Sequence, residues 1–317
     1  MDRSPVPTST VQVRGAALLL WRRRLLGFGG RPAELDWLLD LAGGLRWRDL
    51  QRLRLEPERV LSLQRPLAEL ENLWKRHLAT ATPLQYLVGL CPWRDLDLSV
   101  APGVLIPRQE TELLVDLALE RVSTLGRESL SWADLGTGSG CLAVALAVAL
   151  PPGSRGFAVD CSAGALAQAR GNLERAGRAS AVDLLQGHWW DPLASFWGQL
   201  DLVVSNPPYI PSELVGQLDP VVRDHEPLLA LDGGTDGLAS LRLITAGAFA
   251  ALAPGGWLLL EHHHDQGPAV RNLLAEAGLV EVATVVDLEG HDRFSLGSRP
   301  AFPGAATVPS SPAQPGE

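Results

Sequence analysis

Four consecutive residues, Asn206-Pro207-Pro208-Tyr209, are the strongest candidate for chemistry in this sequence. They follow the apolar segment 202–205, which predicts a buried strand. Neither proline can donate a hydrogen bond to a sheet, and a residue before proline is held extended, so the motif predicts a stiff corner where the strand ends. Ligands bind at this edge in open α/β sheets. The simpler interpretation is a strand followed by a proline turn, and the rest of the sequence decides between the two.

The corner presents groups that suit a planar amino group. The side-chain oxygen of Asn206 and the carbonyl of Pro207 could accept its two hydrogens, and the Tyr209 ring could pack on its face. An amide or arylamine nitrogen is a poor nucleophile because its lone pair is delocalised. Two fixed acceptors that match the geometry of the attacking nitrogen would stabilise the transition state more than the ground state. The motif therefore predicts group transfer to a planar nitrogen, achieved mainly by alignment.

A glycine-rich turn is the second candidate site, and it consists of Gly136, Thr137, Gly138, Ser139 and Gly140. Its spacing is GxGxG, which differs from the GxGxxG of dinucleotide-binding turns. Asp160 ends the next predicted strand, 20 residues after Gly140, where a carboxylate can accept hydrogen bonds from both hydroxyls of a ribose. No arginine follows Asp160 to receive a 2′-phosphate. We therefore expect S-adenosylmethionine rather than a dinucleotide, because its sulfonium would supply the electrophile for the corner.

The elements that position these residues alternate between strand and helix from residue 130 onwards, which demands a parallel sheet with helices on both faces. Predicted strands cover residues 132–135, 156–160, 182–185, 200–205, 257–261, 280–286 and 293–296. Predicted helices cover residues 110–122, 141–150, 162–176, 238–252 and 269–277. The expected fold class is α/β, a seven-stranded doubly wound, Rossmann-like domain of the class I methyltransferase type with a small N-terminal helical bundle.

The expected domain organisation has five parts. Residues 1–11 form a flexible tail, and residues 12–80 form a helical domain without a strand pattern, with short helices at 47–54, 56–63 and 66–79. Residues 81–108 form a linker in which segments 83–89 and 93–100 pair as a hairpin. Residues 109–299 form the catalytic domain. Residues 300–317 are rich in Pro, Ala, Ser and Gly, and we expect them to be disordered.

Composition excludes several other functions. The three cysteines are widely spaced, so neither a disulfide framework nor a cysteine zinc site is expected. The run 262–264 is three histidines at a strand end, where alternate residues point to opposite faces, and no metal is expected there either. Lys75 is the only lysine and no G-K-[ST] occurs, which excludes a P-loop. Because no apolar run is long enough to span a bilayer and no signal peptide is visible, we expect a cytoplasmic protein without membrane contact.

Charge is unevenly distributed along the chain. Residues 1–80 carry 14 basic and 9 acidic residues, a net charge of +5, whereas the remainder carries 13 and 27, a net charge of −14. The acidic part argues against a broad nucleic-acid groove. The basic part could face an acidic or RNA-associated partner, or it could be an ordinary solvated surface.

The chain resembles the HemK/PrmC family, the protein-(glutamine-N5) methyltransferases that modify peptide chain release factors. The resemblance covers about residues 80–299. It rests on the segments 83–89, Leu105-Ile106-Pro107-Arg108-Gln109-Glu110-Thr111-Glu112, 134–140, 204–210 and 287–293. The Asn-Pro-Pro-Tyr motif alone is shared with methyltransferases that act on adenine, and the combination with Ile106-Pro107-Arg108 and the helical N-terminal domain makes the resemblance specific.

The resemblance implies the acceptor and the site residues. The acceptor would be the glutamine of a Gly-Gly-Gln loop in class I release factors, recognised by the N-terminal domain. Contacts to S-adenosylmethionine would come from the turn 136–140, Asp160, Trp189 and Asn206. The acceptor would contact Asn206, Pro207, Pro208 and Tyr209, of which Asn206, Pro207 and Tyr209 would be catalytic. Many members carry an acidic residue before the tryptophan, whereas this chain has His188, which leaves a contact to the adenine amino group open.

Three other functions remain open from the sequence. One is methylation of a glutamine in a ribosomal protein, and the Ile106-Pro107-Arg108 segment does not distinguish this activity from methylation of a release factor. Another is methylation of adenine N6 in nucleic acid, which the acidic catalytic part disfavours, so no direct nucleic-acid substrate is expected. The last is a nucleoside-binding module without activity, which the intact motif at residues 206–209 disfavours. A monomer is expected.

Overall fold

The computed structural model describes residues 10–301. Its strands are β1 (Val11–Arg14), β2 (Val60–Leu63), β3 (Leu90–Trp93), β4 (Leu96–Ser99), β5 (Ser131–Leu135), β6 (Arg155–Asp160), β7 (Val182–Gln186), β8 (Leu200–Ser205), β9 (Leu252–Glu261), β10 (Val280–Val286) and β11 (Asp292–Ser298). Its helices are α1 (Gly15–Leu26), α2 (Pro32–Leu41), α3 (Trp47–Leu53), α4 (Leu67–Thr80), α5 (Leu84–Val88), α6 (Glu112–Ser123), α7 (Cys141–Ala149), α8 (Ala163–Arg175), α9 (Ser212–Val215), α10 (Pro220–Arg223), α11 (Ala239–Ala251) and α12 (Gly267–Glu276).

A seven-stranded sheet forms the centre of the larger domain, in the order β10-β11-β9-β8-β5-β6-β7. The run from β9 to β7 is parallel, and β11 is antiparallel to both of its neighbours. Strand order reverses between β5 and β8, which is where open α/β sheets bind ligands. The predicted fold class, a seven-stranded doubly wound sheet of the class I methyltransferase type, is confirmed.

Both faces of this sheet are covered, which explains why successive residues of its central strands β5 and β8 are buried. All six residues of β8 are buried. Leu202 and Val204 pack towards α6 and α7, whereas Val203 between them packs towards α11 and α12. This alternation in a fully buried strand holds the position of the residue that follows it, Asn206.

The N-terminal region contains two strands that the sequence did not predict. The expected helix at residues 56–63 is wrong, because Val60–Leu63 pairs antiparallel with Val11–Arg14 at the start of the described chain. Along this short strand Leu61 and Leu63 are buried and Val60 and Ser62 are exposed, which is a period of two. The predicted tail at residues 1–11 therefore overlaps β1 at its last residue, and residues 1–9 lie outside the described part of the chain.

The predicted hairpin in the linker exists, but its first arm was misplaced. Residues 84–88 form helix α5, which ends at Gly89 in the left-handed conformation, and the pairing strands are β3 and β4. The hydroxyl of Tyr86 then donates to the carbonyl of Val104 at 2.6 Å and holds the loop that leads to Pro107. The predicted domain boundaries stay predictions, and residues 302–317 of the predicted C-terminal tail lie outside the described residues.

Within residues 10–301, no helix combines the length and the apolar character that crossing a bilayer requires.

Candidate active site

A cavity of about 400 Å³ opens at the carboxyl edge of β5, β6 and β8. Its wall brings together most of the residues that the sequence predicted: Gly136, Thr137, Gly138, Ser139, Asp160, His188, Trp189, Asn206 and Pro208. Gly140, Pro207 and Tyr209 are not among the residues of this wall. Pro207 is buried, and the Tyr209 side chain is directed to another residue that is described below.

The glycine turn between β5 and α7 needs glycine for two reasons. Gly136, Gly138 and Gly140 all have positive φ, at 74°, 55° and 80°, a region that other residues rarely enter. A Cβ atom at Gly140 would also lie 3.0 Å from the Cα of Ala169 in α8. The turn therefore lets the start of α7 lie directly against α8, and its amides are brought to the cavity edge.

Asp160 links the turn to the strand beside it. One carboxylate oxygen accepts from the amide of Gly138 at 2.9 Å, and the other accepts from the amide of Ser162 at 2.9 Å. Each oxygen of a carboxylate has two acceptor sites, so both can accept one more hydrogen bond. Asp160 is thus held by its two backbone donors and still offers two acceptors to a diol.

The two tryptophans that follow β7 have different roles in the fold. Trp189 lines the cavity with its ring 3.2 Å from the position that a Cβ of Gly136 would take, and its φ of 45° is unusual for a non-glycine residue. Such backbone strain tends to occur at functional sites. Trp190 is a core residue whose indole nitrogen donates to the carbonyl of Ile244 at 3.1 Å. His188 is exposed at the cavity edge.

Hydrogen bonds connect Asn206 to the buried Thr111 and, through Thr111, to the buried Glu261, two residues from distant parts of the chain. Nδ2 of Asn206 donates to Thr111 Oγ1 at 3.0 Å, which leaves Oδ1 available as an acceptor. Thr111 Oγ1 donates to Glu261 Oε2 at 2.7 Å, and the Tyr209 hydroxyl donates to Glu261 Oε1 at 3.1 Å. Ser205 in β8 is paired in register with Leu260 in β9. Asn206 and Glu261 are the residues that directly follow this pair.

Glu261 is deeply buried, and its electrostatics reflect this. Burial raises the pKa of its carboxyl to about 7, although the hydrogen bonds from Thr111 and Tyr209 act in the opposite direction. Burial likewise raises the pKa of Tyr209, which is therefore a neutral phenol. Glu261 does not line the cavity, and its two oxygens are held by Thr111 and Tyr209 at the end of β9. The sequence analysis assigned no role to Thr111, whose signal was its place in the segment 105–112.

Asp134, the last but one residue of β5, is a functional candidate that the sequence reasoning passed over. Its Oδ2 accepts from the hydroxyl of Thr137 at 2.6 Å, and its Oδ1 is buried without a hydrogen-bond partner among residues 10–301. Burial raises the pKa of this carboxyl to about 7. An unpaired carboxylate oxygen beside the turn favours a cationic group nearby. The available signal was an acidic residue two positions before Gly136, the first residue of the glycine turn.

Arg108 lines the cavity and also forms an ion pair with a buried residue. Its Nη2 donates to Glu226 Oε1 at 2.8 Å, and Glu226 Oε2 accepts from the amide of Ile106 at 3.3 Å. Glu226 belongs to the segment 211–232, whose residues Pro227 and Leu229 form part of the cavity wall. The pair therefore joins this segment to the Ile106-Pro107-Arg108 segment. Glu112, in the same sequence segment as Arg108, does not line the cavity, and its side chain accepts from the amide of Arg94.

Among the described residues, no group of His, Cys, Asp and Glu side chains has the arrangement of a metal site. The three consecutive histidines illustrate this. His262 contacts Ser295 through Nε2 at 2.8 Å inside the sheet, whereas Nδ1 of His263 lies 2.7 Å from Asp265 at the surface.

Known proteins resemble this chain closely. Residues 110–217 match the family model of the methyltransferase small domain. A release factor glutamine methyltransferase from Prochlorococcus marinus is 52% identical over 283 residues, which cover 89% of this chain and 96% of that protein. A protein of the same name from Gloeobacter violaceus is 47% identical over 263 residues, which cover 83% of this chain and 88% of that protein.

A solved structure shares the fold. The catalytic domain of hMettl16, in complex with MAT2A 3′UTR hairpin 6, has a TM-score of 0.52 and 13% identity, over 77% of this chain and 85% of that chain. At this identity the likeness concerns the fold alone. The curated relatives, in contrast, match along nearly the full length of both sequences, which confirms the resemblance that the motifs predicted. The chain belongs to the family of release factor glutamine methyltransferases.

Proposed function

We propose that this protein transfers a methyl group from S-adenosylmethionine to the side-chain amide nitrogen of the glutamine in the Gly-Gly-Gln motif of class I peptide chain release factors. The observation that carries the proposal is the position of Asn206, which lines the same cavity as the glycine turn and Asp160 and whose Nδ2 is bonded to Thr111, so that Oδ1 is left as an acceptor. The names of the curated relatives support the acceptor.

The cavity residues fit this cofactor. Asp160 would accept from the ribose hydroxyls, Trp189 would stack on the adenine, and the amides of the turn 136–140 would lie beside the methionine part of the cofactor. The buried carboxyl of Asp134, which accepts from Thr137 of the turn, would favour the cationic end of the ligand through its charge. When bound, S-adenosylmethionine supplies an electrophilic methyl group on a positively charged sulfur.

The residues of the chain would then align the acceptor. Asn206 Oδ1 and the Pro207 carbonyl would accept the two amide hydrogens, Pro208 would form the wall, and Tyr209 would support the motif from behind. Held in this way, the nitrogen lone pair would be directed at the methyl group that the bound cofactor supplies. The transfer would form an N–C bond for the C–S bond it breaks, leave the electron pair of that bond on sulfur, and release one amide proton to water. No base has to act before the transfer, because alignment and the two acceptors lower the barrier.

The remaining parts of the proposal concern partners and location. The basic region at residues 1–80 would recognise the release factor. Because release factors act on ribosomes, we place the enzyme in the cytoplasm, with no membrane as a partner. We propose that it acts as a monomer and has no nucleic acid as a direct substrate. The two alternatives are a ribosomal-protein glutamine and adenine N6 as acceptors, and the acidic charge of the catalytic part disfavours the second.

The test compares acceptors with a labelled methyl donor. The protein is incubated with labelled S-adenosylmethionine and purified release factor, ribosomal proteins or nucleic acid, and a release factor with Gln→Ala in its Gly-Gly-Gln motif is the control. We expect label in the intact release factor alone. Asn206→Ala should abolish transfer and leave most of the cofactor affinity, whereas Asp160→Ala should weaken cofactor binding. Label in nucleic acid or ribosomal protein, with none in the release factor, would refute the proposal.

A further inference from the structure

The side-chain amide of Asn206 has two orientations of nearly equal shape, and only one of them is useful. With Oδ1 towards the cavity, Asn206 can accept a hydrogen from an acceptor amide. With Nδ2 towards the cavity, it would place a donor against another donor. The prolines that follow fix the backbone at this corner but leave the amide free to rotate. Something else must select the orientation.

The hydrogen-bond chain behind Asn206 makes that selection. An ionised Glu261 can only accept, so Thr111 must donate its single hydroxyl proton to Oε2, at 2.7 Å. The Thr111 oxygen can then only accept from Asn206, so Nδ2 lies towards Thr111, at 3.0 Å. We propose that Thr111 and Glu261 are positioning residues that hold the Asn206 amide with its oxygen towards the acceptor nitrogen. This inference rests on the function proposed above.

The second oxygen of Glu261 connects the other end of the motif to the same carboxylate. Oε1 accepts from the Tyr209 hydroxyl at 3.1 Å, so residues 206 and 209 are both held by one buried side chain. A protonated Oε2 would reverse the chain: it would donate to Thr111, which could then donate to Asn206 Oδ1 and turn the amide round. The ionised carboxylate is therefore the state that prepares the site.

The surroundings of Glu261 place its ionisation within the working pH range. Burial raises its pKa to about 7. The titratable and charged groups that face it are Tyr209 from the loop after β8, Arg293 from β11, Glu110 before α6 and Cys141 at the start of α7. The Arg293 charge favours the ionised form, and the Glu110 charge opposes it. The kcat should consequently rise as the pH increases through about 7.

The first experiment removes the hydroxyl while keeping the size of the side chain. Thr111→Val should lower kcat about 10- to 100-fold, while the Kd for S-adenosylmethionine, measured by calorimetry, stays within about threefold of wild type. Thr111→Ser should restore most of the activity because it restores the hydroxyl. Thr245→Val is the matched control: Thr245 is equally buried, but its hydroxyl donates to the carbonyl of Leu241 in its own helix, away from the cavity. It should retain wild-type kcat.

The second experiment records kcat against pH for wild type, Thr111→Val and Glu261→Gln. Wild type should gain activity between about pH 6 and about pH 8, and both variants should lose this dependence. The inference would be overturned if Thr111→Val had the same kcat as wild type, or if the kcat of the wild-type enzyme were constant over this pH range. If the variants do not fold, the pH profile of the wild-type enzyme alone decides. Absence of transfer to release factor by wild type would instead overturn the proposed function.

Discussion

Replacing Gly140 with alanine tests how the glycine turn supports the cavity. The residue has φ of 80° and ψ of 16°, in the left-handed region. A Cβ here would lie 2.9 Å from the Cβ and 3.0 Å from the Cα of Ala169. Since one of these contacts is with backbone, no side-chain rotation relieves it, and α8 must move away from α7.

The loss of stability expected for Gly140→Ala has two parts. An alanine in the left-handed region costs about 1–2 kcal/mol, and the crowding against α8 adds about 1–3 kcal/mol. We therefore expect Gly140→Ala to lower the free energy of unfolding by about 2–5 kcal/mol. Because the same turn holds the amide of Gly138 against Asp160, the affinity for S-adenosylmethionine should also fall, by about tenfold or more.

The matched control is Gly89→Ala. Gly89 has almost the same backbone conformation, with φ of 77° and ψ of 20°, and a Cβ there meets nothing within 4 Å. This variant should lose only the conformational part, about 1–2 kcal/mol, and keep its cofactor affinity. Urea unfolding followed by circular dichroism gives the stabilities, and calorimetric titration gives the affinities. Equal losses of stability in the two variants would refute the claim that the contact with α8 requires glycine.

Three further predictions concern carboxylates. Asp160→Asn replaces one acceptor of the backbone amides with a donor and should weaken S-adenosylmethionine binding about 10- to 100-fold in a calorimetric titration; unchanged affinity would contradict the ribose role. Burial raises the pKa of Asp134 to about 7, above its ordinary value of about 4. The folded protein then binds this proton more tightly than the unfolded chain, and stability falls as the pH rises from about 4 to about 7. Asp134→Asn should reduce that slope in thermal unfolding of the ligand-free protein, and an unchanged slope would contradict it. Glu226→Gln weakens a buried ion pair and should lower the free energy of unfolding by about 1–3 kcal/mol, whereas Asp183→Asn, in the exposed pair with Arg155, should cost less than about 1 kcal/mol; equal effects would contradict the difference in burial.

The sequence predicted the main features of the sheet and of the cavity because their signals are local. Short segments rich in apolar residues marked the parallel strands. The residues at or just after the ends of β5, β6 and β8 had to meet, because neighbouring parallel strands end at the same edge. Gly138, Asp160 and Asn206 could therefore be assigned to one site before any distance was known.

Features that depend on distant parts of the chain could not be predicted in this way. Strand β2 has only four residues, and its pairing partner lies about 50 residues earlier, so the local pattern resembled one turn of helix. The contact of Thr111 with Glu261 spans 150 residues, and that of Arg108 with Glu226 spans 118. Each depends on the register of strands or on the path of a loop, and neither leaves a spacing signal in the sequence.

The network behind Asn206 also explains why a carboxylate is buried where it lowers stability. An apolar residue in place of Glu261 would avoid the desolvation that raises its pKa to about 7. An apolar residue, however, accepts no hydrogen bond, and a neutral amide could donate or accept, so neither would give Thr111 a single hydrogen-bond direction. Only a group without protons forces Thr111 to donate and Asn206 to present its oxygen. The two prolines hold the corner in place, and the buried charge determines which atom the corner presents.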